Sequence, residues 1–272
     1  MSKFLACFSI IAMVTCSAPT MAHKESIPSP VAKARPSFSF IMMTIKISPK
    51  DCVYLGGKKG DIKHQTCEVG NLPDKFLRSY GSGAVVAHGA GYSYVLTAAH
   101  VCSYPRVDKK IVGHKIITVT LNPIPKVRDV MGNEFKSEIF SLDSKNDLCI
   151  LKVDGIFGKP LKIAKEMVAV PSRIYSYGAP LAVNHPGMVL FFEGFSAGYK
   201  YDPVLERKDV FYTLPIRSGS SGSSVLNSKG EIIGVVHTAI VQMENIAMSS
   251  SLESIKNIMK SIPEIYYERI GP

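Results

Sequence analysis

The sequence of 272 residues predicts an all-β fold, a barrel or a sandwich, closed by one helix near its end. From residue 81 onward short runs of β-formers recur, among them GAVVAH, YSYVLTAA, KIITVTL, DLCILKV, RIYSYG, MVLFFEG and EIIGVVHTA. Turn signals such as HGAG, NPIP, MGN and NSKG punctuate them, and 21 Gly with 17 Pro suit strands and turns better than a helix bundle. The exception is SSLESIKNIMKSI, in which Leu252, Ile255, Ile258, Met259 and Ile262 follow helical spacing. Ser250 and Glu253 fit a capping box at its start, and Pro263 stops it.

Taken in order, the chain opens with Lys3, an apolar run over residues 4–14 and the small-residue site Thr20-Met21-Ala22. Residues 1–22 therefore read as a signal peptide, its apolar run short of the ~20 residues that cross a bilayer. The mature protein is expected to be secreted or periplasmic, with no membrane span. Residues 23–36 are polar and Pro-rich and predict a mobile leader. Residues 37–48 predict a strand, and the Gly- and Lys-rich residues 49–80 an elaborated loop ahead of the main fold.

Hydrophobic content of 46% and charged content of 20% exclude a disordered chain. The net charge of +10 is concentrated early: residues 24–80 hold ten Lys/Arg against five Asp/Glu. No aromatic interleaving or nucleic-acid motif accompanies it, so a solvated basic face is expected and no specific nucleic-acid partner. Export leaves Cys52, Cys67, Cys102 and Cys149. Without a CxxC pair, no metal site is expected. Cys52 and Cys67 flank a loop of 14 residues and are expected to form a disulfide in an oxidising compartment. Cys102 and Cys149 each lie two residues beyond a candidate catalytic residue, and either a bond or two buried thiols would fit.

Three motifs carry chemistry. GSSGSSV at 219–225 lies between two strand candidates, where a floppy linker would be out of place. A serine nucleophile needs backbone N–H groups converging on a developing oxyanion. Gly219 can adopt the backbone that turns its N–H inward, and Gly222 lets the chain pass tightly behind Ser221. In VLTAAHVC at 95–102, His100 follows an apolar strand and two small alanines, at a strand end where a general base can reach a serine. In KNDLCILKV at 145–153, Asp147 opens an apolar strand, where a carboxylate is expensive without a partner. A histidine N–H would satisfy it, fix the imidazole tautomer and stabilise the imidazolium. Each motif alone also fits a loop, a buried histidine or a turn residue; together, in the order His, Asp, Ser, they are far more specific.

Residues 81 to about 262 resemble the trypsin-like serine peptidases, especially their bacterial Deg/HtrA-like branch, through GSGAVVAH, VLTAAHVC, GNEFKSEIFSLDSKNDLCILKVDG and GSSGSSVLNSKGEIIGVVHTAI. The resemblance implies two six-stranded antiparallel β-barrels, at 81–165 and 166–272 with the helix in the second, and the active site between them. It implies His100 as general base, Asp147 as its orienting partner and Ser221 as nucleophile, with the N–H groups of Gly219 and Ser221 forming the oxyanion hole. The implied activity is serine endopeptidase action on polypeptide substrates, with no cofactor. Ser220 stands where animal trypsins carry an aspartate that pairs with a freshly cut N-terminus, so that switch is not expected. Little chain follows the helix, so no PDZ module is expected. The sequence assigns no oligomeric state.

The specificity pocket is expected from residues 215–218 and 236–240, with Pro215 and Ile216 at its base, Ser218 beside them, and Val236, His237 and Thr238 opposite. No aspartate lies there, which disfavours cleavage after Lys or Arg. Glutamate-specific relatives carry a G-x-H run; here Gly234-Val235-Val236-His237 is one residue longer. In a regular strand Val236 would line the pocket and His237 would point towards Asp147, giving a preference for small or medium apolar residues; a bulge would turn His237 to the pocket and favour acidic substrates. The regular strand is the expectation. A Glu-specific peptidase using His237, and a catalytically silent binding protein of the same fold, are the alternatives.

Overall fold

Residues 26–55, 64–66, 74–104, 107–112, 115–240 and 243–263 are described by the structure, a computed structural model. The expected signal peptide and Cys67 lie outside them, as does the pairing expected between Cys52 and Cys67. The chain begins with α1 (Ser29–Ala34), β1 (Phe38–Leu55), β2 (His64–Thr66), β3 (Lys75–His88) and β4 (Tyr92–Thr97). There follow α2 (Ala99–Cys102), β5 (Val107–Val112), β6 (Lys115–Arg128), β7 (Glu134–Asp143) and β8 (Leu148–Asp154). The second half holds β9 (Arg173–Gly178), β10 (Leu190–Asp202), β11 (Arg207–Tyr212), β12 (Ser224–Leu226), β13 (Ile232–Ile240), β14 (Met243–Ser250) and α3 (Leu252–Met259).

Both barrels are six-stranded and antiparallel. The first runs β1-β3-β4-β8-β7-β6 and closes where β1 returns to β6, with β2 and β5 added at its margin. The second closes as β10-β11-β14-β13-β12-β9. Three expectations are corrected. The first barrel does not begin at residue 81: β1 pairs with β3 from Phe38 to Ile47 and with β6 from Phe40 to Tyr54, completing the ring. Ile41, Met43, Ile45 and Ile47 alternate into the interior, so the strand expected over 37–48 belongs to the barrel core. Residues 23–36 are not wholly a mobile leader either. Val31 and Ala34 of α1 are buried in the apolar layer between the barrels, and Tyr177 Oη donates to Val31 O at 3.1 Å. Finally, α3 is capped one residue later than expected, by Ser251, whose hydroxyl accepts from Ser254 N at 3.2 Å.

β4 and β8 are buried at nearly every position because both faces are covered. Tyr94, Leu96, Leu148 and Ile150 face the inter-barrel layer, with Ile255, Ile258, Met259 and Ile262 of the terminal helix and its following turn. Val95, Cys149, Leu151 and Val153 face the first barrel's own interior. Thus the two strands that lead to His100 and away from Asp147 are clamped on both sides. Among the described residues no helix is long and apolar enough to cross a membrane.

Candidate active site

β4 ends at Thr97, and the buried Ala98 and Ala99 let the chain turn into α2 against the barrel wall. That turn lifts His100 out of the core with its side chain half exposed. Asp147 stands at the mouth of β8 with φ of 52°, in the left-handed region that aspartate tolerates better than most residues. Its carboxylate grips His100 twice: Oδ1 accepts the backbone N–H at 2.9 Å and Oδ2 accepts from Nδ1 at 2.8 Å. Burial pushes the Asp147 carboxyl up, but the hydrogen bonds from the His100 ring and backbone outweigh it and hold the group below the ordinary aspartate value. The carboxylate is thus ionised at neutral pH, and Nδ1 carries the proton, leaving Nε2 as the acceptor.

The neighbouring Asn146 is held from both barrels. Within its own loop its Nδ2 donates to Asp143 Oδ2 at 2.7 Å. From the other barrel, Ser250 Oγ donates to Asn146 O at 2.7 Å and Ser254 Oγ to Asn146 Oδ1 at 2.9 Å.

Between β11 and β12 the serine-rich run is a tight loop rather than a flexible one. Gly219 has φ of 95°, and a Cβ there would sit 2.4 Å from Ala179 O. Gly222 has φ of 87°, and its Cβ would fall 2.0 Å from Ser82 O. No L side chain fits either position, which explains both glycines. Ser220 N donates to Arg217 O at 2.9 Å and Gly222 N to Val236 O at 2.7 Å. Among the described residues, the N–H groups of Gly219 and Ser221 donate to no protein acceptor.

His100 and Ser221 face one pocket of about 470 Å³, with Ile216, Ser218, Val236, His237 and Thr238 in its wall. Arg217 and Ser220 line it too; the expected pocket range included Arg217, but no role was attached to it. Pro215 does not: residues alternate along this stretch, so Leu214 and Ile216 turn inward and Pro215 faces solvent. Of the two residues expected at the base, Ile216 lines the pocket. Cys102 and Cys149, left open by the sequence, are joined in a disulfide with both residues fully buried. The bond ties the helical turn of His100 to the strand that begins just after Asp147.

The expected regular strand at His237 is corrected. Pairing between β13 and β14 slips between Val236 and Thr238, so His237 sits in a bulge. Val236 and His237 consequently both reach the pocket wall. His237 does not point to Asp147 as a hydrogen-bond partner; its Nε2 lies 3.2 Å from Asp209 Oδ1. Arg207 Nε lies 3.0 Å from the same oxygen, as an ion pair off the line of a hydrogen bond. The bulge brings the imidazole to a partner 28 residues away. Asp209 is buried in β11 and needs a donor, which a displaced imidazole supplies. Burial and the Arg207 charge hold the His237 imidazole below the ordinary histidine value, against the pull of Asp209 and Asp147. A histidine depressed on folding binds fewer protons native than unfolded, so stability is full above about pH 6.5 and declines below it until the folded pKa is passed. His237→Gln should flatten the slope of unfolding free energy against pH in that window; an unchanged slope in urea titrations would contradict it.

Two antiparallel barrels with a histidine, a carboxylate and a serine gathered at one cleft define the class of chymotrypsin-fold peptidases. The profile of the trypsin-like peptidase domain matches residues 81–235, more than half of the sequence, and the chain belongs to that family. It is 26% identical over 230 residues to a serine protease HtrA-like of Staphylococcus aureus, covering 77% of this chain and 27% of that protein. It is 27% identical over 162 residues to a probable periplasmic serine endoprotease DegP-like of Halomonas elongata, covering 58% and 29%. The chain thus spans under a third of the length of these relatives. Among solved structures it is similar to the Rv3671c protease from M. tuberculosis in its active form, with a TM-score of 0.58 at 18% identity over 96% of this chain and 94% of that one. The serine endoprotease from Yersinia pestis gives a TM-score of 0.56 at 16% identity over 89% and 68%. At these identities the two structures bear on the fold.

Proposed function

We propose that the protein is an exported serine endopeptidase that cleaves polypeptides through an acyl-enzyme on Ser221. The observation that carries this reading is the double hydrogen bond from His100 to Asp147, on the wall of the pocket that Ser221 also faces. Ser221 Oγ attacks the scissile carbonyl carbon while His100 Nε2 takes its proton, and Asp147 stabilises the imidazolium through Nδ1. The N–H groups of Gly219 and Ser221 receive the negative oxygen. The C–N bond breaks as His100 returns the proton to the leaving amine, and water releases the acyl group by the reverse sequence. The Halomonas elongata relative is a probable periplasmic endoprotease, in agreement with the signal peptide read over residues 1–22.

For substrate choice the leading reading is a small or medium apolar side chain on the acyl side of the cut. Ile216 and Val236 are apolar, and the His237 Nε2 is committed to Asp209. One observation favours a second reading: the bulge brings His237 to the wall beside Arg217, a setting that suits an acidic side chain. A peptide library decides between them. Cuts after Ala, Val or Leu support the first; a profile dominated by Glu and lost in His237→Ala replaces it with the second. A fluorophosphonate probe tests the class itself: labelling at Ser221 is expected, and a folded but unreactive protein would make this chain a silent binder.

A further inference from the structure

We propose that the buried hydroxyl of Ser82 is a positioning residue for the oxyanion hole, an inference that rests on the serine peptidase reading above. Ser82 lies in β3 of the first barrel and is fully buried, yet each of its polar groups is bonded to a segment of the site. Its N–H donates to Ser221 O at 2.7 Å. Its carbonyl accepts from Thr97 Oγ1 at 2.7 Å, on the strand that leads to His100. Its Oγ donates to Gly219 O at 2.8 Å and accepts from Ala179 N at 3.0 Å.

The two bonds at Oγ bracket the donor that matters. A peptide N–H points opposite to its own carbonyl, so the direction of Gly219 N–H follows from what holds Ser218 O. Leu181 N–H holds it, at 2.6 Å. Leu181 and the next residue, Ala182, sit at φ of 54° and 58°, a left-handed backbone that neither side chain favours and that its surroundings must impose. Ser82 supplies part of that restraint, since its Oγ anchors Ala179 at the root of this turn. The following peptide is held at both ends, by Ser82 Oγ on Gly219 O and by Arg217 O on Ser220 N–H. Gly219, between the two peptides, has the freedom to rotate if either hold is released. Ser220 carries no charge with which to fix the loop, so a neutral hydroxyl from the other barrel takes that part. Without it, Ala179 N–H and Gly219 O are two buried groups without a partner, and rotation of the loop would relieve them.

Ser82→Ala should lower kcat on the best library peptide by about 10–100-fold, since a small misplacement of an oxyanion donor is felt mainly in the transition state. KM should stay within about threefold, affinity for a boronic acid analogue of that peptide should fall in parallel with kcat, and Ser82→Thr should restore most of the rate. Should Ser82→Ala melt below the assay temperature, Ser82→Cys, nearly isosteric with a weak donor, gives the same reading. Wild-type kcat in the variant that folds, a loss carried by KM, or boronate affinity unchanged would overturn the proposal. Ser221→Ala run alongside separates the two readings. If it stays active, the nucleophile assignment fails; if it is dead while Ser82→Ala runs at full rate, only the role of Ser82 fails.

Discussion

Ser221→Ala should abolish peptide hydrolysis, with kcat falling by about 10⁶-fold while the fold and melting temperature stay close to wild type. The size follows from the way nucleophile and base act as a unit, so His100→Ala should cost nearly as much and the double variant little more. Asp147→Asn should cost about 10⁴-fold for a different reason. An amide that presents N–H to Nδ1 leaves the imidazole proton on Nε2, where the base needs a lone pair. The amide oxygen can still accept the backbone N–H of His100, as Asp147 Oδ1 does, so the turn is kept and the loss falls on the tautomer. Initial rates on the best library peptide, with active-site titration to correct for folded fraction, give the test. A Ser221→Ala protein retaining a per cent of wild-type turnover would remove the serine from its assigned role.

The second large effect concerns stability. The Cys102–Cys149 bond closes a sequence separation of 47 residues, for which the chain-entropy account gives about 4 kcal/mol. Replacing both cysteines by alanine should lower the melting temperature by about 8–16 °C for a chain of this size. Both sulfurs lie in the packed interior of the first barrel, so cavities add to the loss. Reduction of the wild-type protein under mild denaturant should reproduce most of the shift. A double variant unfolding at the wild-type urea midpoint would show that the bond contributes nothing. Because the bridge joins the segments of His100 and Asp147, the variant should also lose turnover above temperatures that the wild type tolerates.

Much of this was legible in the sequence because the relevant signals are local. The triad candidates announce themselves through residues beside them: Ala98-Ala99 before His100, an apolar run after Asp147, glycines around Ser221. Gly219 and Gly222 were readable because left-handed backbone in a tight loop favours glycine. What was missed depends on partners far along the chain. The bulge at His237 accompanies a contact with Asp209 in another strand, and nothing near Val236 betrays it. Pro215 was placed at the pocket base by range, whereas the alternation Leu214-in, Pro215-out, Ile216-in decides the matter. Ser82 sits in a Gly-Ser-Gly run that reads as turn or strand; only the fold brings it to Gly219 O. The leader was misjudged because its polarity is an average, and two apolar residues one helical turn apart, Val31 and Ala34, were enough to dock it.

The grip on Asn146 has a mechanical meaning. Its carbonyl and its amide oxygen are tethered to β14 and α3, while the next residue supplies the carboxylate that steers His100. Any slide of one barrel over the other would therefore pull on the loop that carries Asp147. Under the proposed mechanism the aim of the imidazole would therefore depend on the register of the two halves, as a strain gauge depends on the surfaces to which it is fixed.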